Sequence, residues 1–151
     1  MGAATAFPSP AYSEGTWTPV LTFATPGDLA VAYTTQVGTY TRIGNLVTVN
    51  CSLLLSSFVH GTASGNLQIT GLPFTSKTVA GSGYGAQGAM RFEGITKASY
   101  TQFSAQIGSA AALATIIACR PDAGAGAAPV TAADMPTGGT VRVIFTLTYQ
   151  I

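Results

Sequence analysis

VRVIFTLTYQI, residues 141–151, is the stretch from which the fold is read. Val141, Val143, Phe145, Leu147, Tyr149 and Ile151 fall on one side of an extended chain. Arg142, Thr146, Thr148 and Gln150 fall on the other, with Ile144 the exception. Successive side chains of a strand point to opposite faces, so this alternation describes a strand with one buried face. The same pattern recurs upstream, where Val47, Val49, Cys51, Leu53 and Leu55 oppose Thr48, Asn50 and Ser52. Gly44-Asn45, just before that run, is a hairpin turn, because both residues tolerate the positive φ that tight hairpins require.

Working outward, Trp17, Pro19, Leu21 and Phe23 share one face of an alternating run. Proline donates nothing to a ladder, so Pro19 places this strand at a sheet edge. Thr25–Asp28 (TPGD) and Ser64-Gly65-Asn66 carry turn chemistry. Residues 30–43 read as one or two short strands broken near Gly38. Residues 90–95 are a strand, and Phe103, Ala105 and Ile107 share one side of another. Residues 111–119 (AALATIIAC) are almost wholly apolar, and the β-branched Thr115, Ile116 and Ile117 favour strand over helix. Residues 121–139, with three Pro and four Gly, read as a long loop. About eight strands at regular turn intervals, with no amphipathic helix, predict an all-β domain, a jelly-roll-like antiparallel β-sandwich. The chain divides into an extended N-terminal arm or linker, residues 1–15, rich in Ala, Pro, Ser and Gly, and the sandwich domain, residues 16–151. Phe7 and Tyr12 are the arm's large aromatic residues and are expected to dock on a neighbouring surface.

The chain has 151 residues, enough for one domain that needs no disulfide staple. Hydrophobic residues make up 47% and charged residues only 7%, against about 25% in ordinary soluble domains. So little charge favours association, which points to surface buried in an oligomer. The six cations are scattered and the net charge is +1, which argues against a nucleic-acid partner, since such binding needs Lys and Arg gathered on one face. No run approaches the length of a membrane-spanning helix, so no membrane insertion is expected. Cys51 and Cys119 sit in apolar runs and read as buried thiols, able to pair only if the strands bring them within bonding reach. There is no CxxC and no Cys/His cluster, so neither metal nor cofactor is expected.

Catalytic chemistry finds little support. The carboxylates are Glu14, Asp28, Glu93, Asp122 and Asp134. A glycosidase needs two of them about 5–9.5 Å apart, and only Asp122 and Asp134, on one loop, suggest a pair. His60 is the single histidine and reads as an exposed loop residue, and no GxSxG elbow accompanies the serines. The chain is therefore expected not to be an enzyme. The uncharged strand faces bearing Thr146, Thr148 and Gln150, and Thr18 and Thr22, suit a wet subunit interface near a symmetry axis.

Several phrases together resemble the C-terminal domains of bacteriophage tail fibres and tailspikes. They are Gly15-Thr16-Trp17-Thr18-Pro19, Gly38-Thr39-Tyr40-Thr41-Arg42-Ile43-Gly44-Asn45 with the alternating strand after it, Ile69-Thr70-Gly71-Leu72-Pro73-Phe74, and the closing strand. They cover residues 15–74 and 139–151, and residues 75–138 carry no matching phrase. The resemblance implies a β-sandwich in a homotrimer, located in the virion beside other virion proteins. It also implies a role in binding host cell-surface glycan without cleaving it. A capsid decoration protein that stabilises the shell is the alternative, and a glycan-degrading tailspike module the third. Sugar recognition uses aromatic faces with polar groups beside them. The candidate glycan-binding residues are Tyr84, Arg91, Phe92 and Tyr100.

Overall fold

The computed structural model describes residues 11–80, 85–121 and 126–151. The fold is all-β, as the alternation requires. Ten strands run in chain order: β1 (Tyr12–Trp17), β2 (Val20–Thr25), β3 (Ala30–Ile43), β4 (Leu46–Val59), β5 (Ser64–Thr70), β6 (Ala86–Glu93), β7 (Gln102–Ile107), β8 (Leu113–Cys119), β9 (Ala127–Pro129) and β10 (Val141–Gln150). They form one antiparallel sheet in the spatial order β1-β3-β4-β10-β6-β7-β8-β5-β2, with β9 beside β8. The sheet curls back on itself into a β-sandwich. One layer holds β1, β3, β4 and β10, the other β7, β8, β5 and β2, and β6 belongs to both. The inner faces meet in a core where Val47, Leu53, Leu67, Ile107, Ile116, Val141 and Leu147 have lost all contact with solvent. Truncating any of the leucines or isoleucines to Ala costs roughly 2–5 kcal/mol.

The ends of the curled sheet are tied by side chains rather than by a ladder. β2 pairs only with β5, so its other edge is unpaired. The Leu21 N–H donates to Tyr33 Oη at 3.0 Å, and Gln36 Nε2 donates to the Pro19 carbonyl at 2.9 Å. Both partners come from β3, across the gap. Trp17 seals the corner between β1 and β2, 8% exposed, with Nε1 donating to the Thr39 carbonyl at 3.2 Å.

Several local expectations are corrected. Residues 30–43 are a single strand, and Gly38 does not break it. Gly38 is a recess, since a Cβ there would lie 2.6 Å from the Trp17 ring. The irregularity falls at residues 32–35 instead, where the register against β4 shifts. Ser64-Gly65-Asn66 is the start of β5, not a turn. The loop at 121–139 contains β9 and a 3-10 turn, Ala132–Asp134. The arm read at residues 1–15 enters the sheet at Tyr12, whose strand pairs with β3 from Tyr12↔Ile43 to Trp17↔Gly38. Within residues 111–119, Leu113–Cys119 is a strand, β8, as the β-branching argued. Cys51 and Cys119 are both free thiols, and burial pushes the Cys51 thiol up to about 12.

His60 is not a bare loop tip. Its ring lies 5.4 Å from Phe23 and 5.1 Å from Phe58, and Nε2 is 3.0 Å from the Pro136 carbonyl. Asp28, opposite, accepts the Gly61 and Thr62 N–H groups at 2.8 and 2.7 Å. The chain ends of β2 and β4 are thus pinned to one another by hydrogen bonds.

Candidate functional site

β6 is where the two layers part. Ala86–Ala89 pairs with β7, and Met90–Glu93 pairs with β10. The crossing needs glycine, because a Cβ on Gly88 would lie 1.9 Å from the Thr146 carbonyl oxygen. Beyond the last β6–β7 pair, Ala89↔Ser104, the strands diverge and a groove of about 470 Å³ opens between them. That volume falls in the range of small-ligand sites, roughly 300–1,000 Å³.

The groove combines an aromatic wall with neutral polar groups. Phe92 and Phe103 pack with ring centroids 4.3 Å apart and planes inclined by 54°. Gln87, Gln102, Thr101 and Ser104 supply amides and hydroxyls, and Ala89, Met90 and Cys119 complete the lining. The hydroxyl of Ser104 is buried without a hydrogen-bond partner. A buried hydroxyl normally finds one, since leaving it unpaired costs on the order of 1–3 kcal/mol. Among the described residues, no carboxylate or amine lines the groove.

Charges stand at its margins, already paired. Glu93 accepts from Arg91 and from Arg142 Nε, each at 3.1 Å. Burial acts to raise the Glu93 carboxyl, but the bonds from the two arginines outweigh it and hold the group below the usual range. Lys97 Nζ meets Asp134 Oδ2 at 2.8 Å, with both side chains largely covered. Asp134 also accepts from the Thr131 N–H and hydroxyl, closing the 3-10 turn. Desolvation works against its ionised form, and Lys97 and Thr131 together more than offset it. Tyr100 lies between two cations, with Lys97 Nζ 5.5 Å and the Arg120 guanidinium carbon 5.6 Å from its ring centre.

Of the residues singled out from the sequence, Phe92 lies in the groove. Arg91 points to the side of β6 opposite Phe92, the side of Gln87 and Ala89, and is engaged by Glu93. Tyr100 flanks the groove beside Thr101 without lining it. Tyr84, Phe7 and Asp122 lie outside the described residues. Tyr12 is 62% exposed at the start of β1, its hydroxyl donating to Glu14. Sequence reasoning missed Gln87, Gln102, Phe103 and Ser104. The signal was present in Thr101-Gln102-Phe103-Ser104-Ala105-Gln106, whose polar face holds an amide, a hydroxyl and an amide at every second position.

Each described carboxylate has a structural partner. Glu14 is bound by Tyr12, Asp28 by the Gly61 and Thr62 amides, Glu93 by two arginines and Asp134 by Lys97. Among the described residues, no group of three His, Cys, Asp or Glu is arranged to hold a metal ion.

No family model and no curated protein matches the chain. Among solved structures, its fold is similar to part of the crystal structure of the Dettilon tailspike protein (gp208). The TM-score is 0.63 at 20% sequence identity, over 90% of this chain. The chain spans 23% of the length of that tailspike, so the two share a fold over one portion of a much longer molecule.

Proposed function

We propose that this chain is a bacteriophage tail-associated structural domain that works as a homotrimer and holds host-surface glycan in the β6–β7 groove without cleaving it. The observation that carries the reading is the groove's chemistry. An aromatic pair lies beside neutral amides and the unpaired Ser104 hydroxyl, in a fold shared with part of a tailspike. Aromatic faces suit sugar C–H groups, and amides and hydroxyls suit sugar hydroxyls. Fold alone does not assign function, so the argument rests on the site and takes the tailspike likeness as its context.

Binding without cleavage is supported by the described carboxylates Asp28, Glu93 and Asp134, since acids committed to backbone amides or to cations are poorly placed to move protons. The trimer is supported by the outer face of β1, β3, β4 and β10. Its central rows are Thr16–Thr39–Asn50–Thr146 and Glu14–Thr41–Thr48–Thr148. Thr146 Oγ1 donates to Asn50 Oδ1 at 2.7 Å, and the Thr48 and Thr148 hydroxyls meet at 2.9 Å. Rows that hold one charge, Glu14, and are internally hydrogen-bonded are cheap to desolvate against a copy of themselves.

The test is retention of bacterial surface polysaccharide by the wild-type chain and by Phe92→Ala. Loss of retention in a variant that keeps its far-UV spectrum and oligomeric state is expected. Equal retention sinks the groove as the site, and a shortened polysaccharide sinks the non-cleaving reading. Immunogold labelling of virions tests the location, with gold on the tail expected. Gold spread over the head would move the chain to capsid decoration.

A further inference from the structure

The groove is one end of a longer feature. Gln87 of β6, on the groove wall, pairs with Gln106 of β7. Gln106 pairs with Thr115 of β8, Thr115 with Gln68 of β5, and Gln68 with Thr22 of β2. All five lie in one row running straight across the strands. Each alternates with core residues of its own strand and so faces outward; Leu67 and Ile69, for example, flank Gln68 in the core. With strands spaced about 4.8 Å apart, the row is about 19 Å long.

Three properties mark this row as a ligand surface. The side-chain amides of Gln68, Gln87 and Gln106 make no hydrogen bond to any described residue. On the opposite layer, in contrast, Thr48 bonds to Thr148 and Thr146 bonds to Asn50. Next, the flanking rows Ala89–Ser104–Ile117 and Val20–Thr70–Leu113 contain no ionisable side chain. These three rows therefore offer hydrogen bonds and apolar contact with no charge to match, and the nearest charge on β6, Arg91, is paired with Glu93. Finally, the spacing of successive row members is close to the advance of one sugar ring along an extended polysaccharide, and the row is continuous with the groove through Gln87.

We infer that the Gln87–Gln106–Thr115–Gln68–Thr22 row extends the β6–β7 groove into an elongated site for an uncharged polysaccharide chain lying across the strands, several sugar units at a time. This rests on the proposed glycan role of the groove and adds the length and neutrality of the ligand.

The experiment uses the full chain and a printed array of purified bacterial capsule and O-chain polysaccharides, uncharged and acidic, with mono- and disaccharide fragments of each. Retention of uncharged long chains over acidic ones is expected. The double variant Gln68→Ala, Thr115→Val lies away from the groove. It should lose roughly tenfold or more in affinity for long chains, as expected for one or two hydrogen bonds to a neutral ligand. Its affinity for the fragments should stay unchanged. Phe92→Ala should lose both. If the double variant binds long chains like wild type while Phe92→Ala does not, the row is refuted and the groove stands. If Phe92→Ala also binds normally, or no uncharged polymer is retained, groove and row fall together. A change in sedimentation of the double variant, with binding intact, would overturn the row as a glycan site and make it a contact between copies.

Discussion

Tyr33→Phe is the sharpest probe of how the curled sheet is held shut. The Tyr33 hydroxyl accepts the Leu21 N–H at 3.0 Å, and Leu21 is 1% exposed. Phenylalanine keeps the ring and removes only the oxygen, leaving a buried backbone donor on the unpaired edge of β2 without a partner. An orphaned buried donor costs about 1–3 kcal/mol. At the middle of that range, and at about 2–4 °C per kcal/mol for a chain of this size, Tm should fall by roughly 4–8 °C. Burial pushes the Tyr33 phenol up from its ordinary value, against the pull of the Leu21 N–H, so the hydroxyl is intact at neutral pH. The assay is calorimetry at neutral pH, with urea unfolding to check that the m-value is unchanged. A Tm within 1 °C of wild type would mean that the side-chain tie is not what closes the sheet, and the account of the β2 edge would be wrong.

Other perturbations test separate parts of the structure. The Thr62 and Gly61 backbone amides hold the Asp28 carboxyl at about 2, below its ordinary 3.8. A depressed folded-state value gives stability that is present above pH 3.8 and lost as pH falls toward 2. Wild-type Tm should therefore drop more steeply than that of Asp28→Asn across this window, and parallel curves would refute the pinning of the β4–β5 connection. Ser104→Ala should leave stability unchanged or raise it by up to about 1 kcal/mol, because it removes a buried hydroxyl that has no partner. The same variant should weaken glycan retention, and a clear loss of stability would show that the hydroxyl is satisfied in the folded chain. Thr146→Lys places a charge between the neutral Ile144 and Thr148 on the outer face of β10 and should shift sedimentation toward monomer. An unchanged species would exclude that face as the trimer contact.

Much of the fold was legible because strand burial has a period of two. The buried faces of β4 from Val47 to Leu55 and of β10 match the sequence alternation, which β4 breaks further on by burying Phe58, and Gly44 takes the positive φ, 61°, that its hairpin demands. β8 was legible for another reason. Packed among β7, β5 and β9, it is buried along most of its length, and β-branching supplied what alternation did not. The failures share a cause. Gly38 reads as a breaker until Trp17 is seen resting on it, and His60 reads as loop until Phe23, Phe58 and Pro136 close around it. In each case the deciding neighbour is distant in the chain.

The candidate site divides in the same way. Phe92 was visible as an aromatic residue with polar company, but Phe103, its ring partner, looked like ordinary core. Arg91 and Tyr100 looked available for a ligand and are engaged by Glu93, Lys97 and Arg120. By itself the sequence determined the strand content, the inward faces and the scarcity of charge, because these follow from local alternation and composition. Only the tertiary structure decided where β6 changes layers, that a groove opens there, and that Gln87, Gln106, Thr115, Gln68 and Thr22 stand in one row. Register between strands from distant parts of the chain is set by how the whole core packs, and no single segment carries that information.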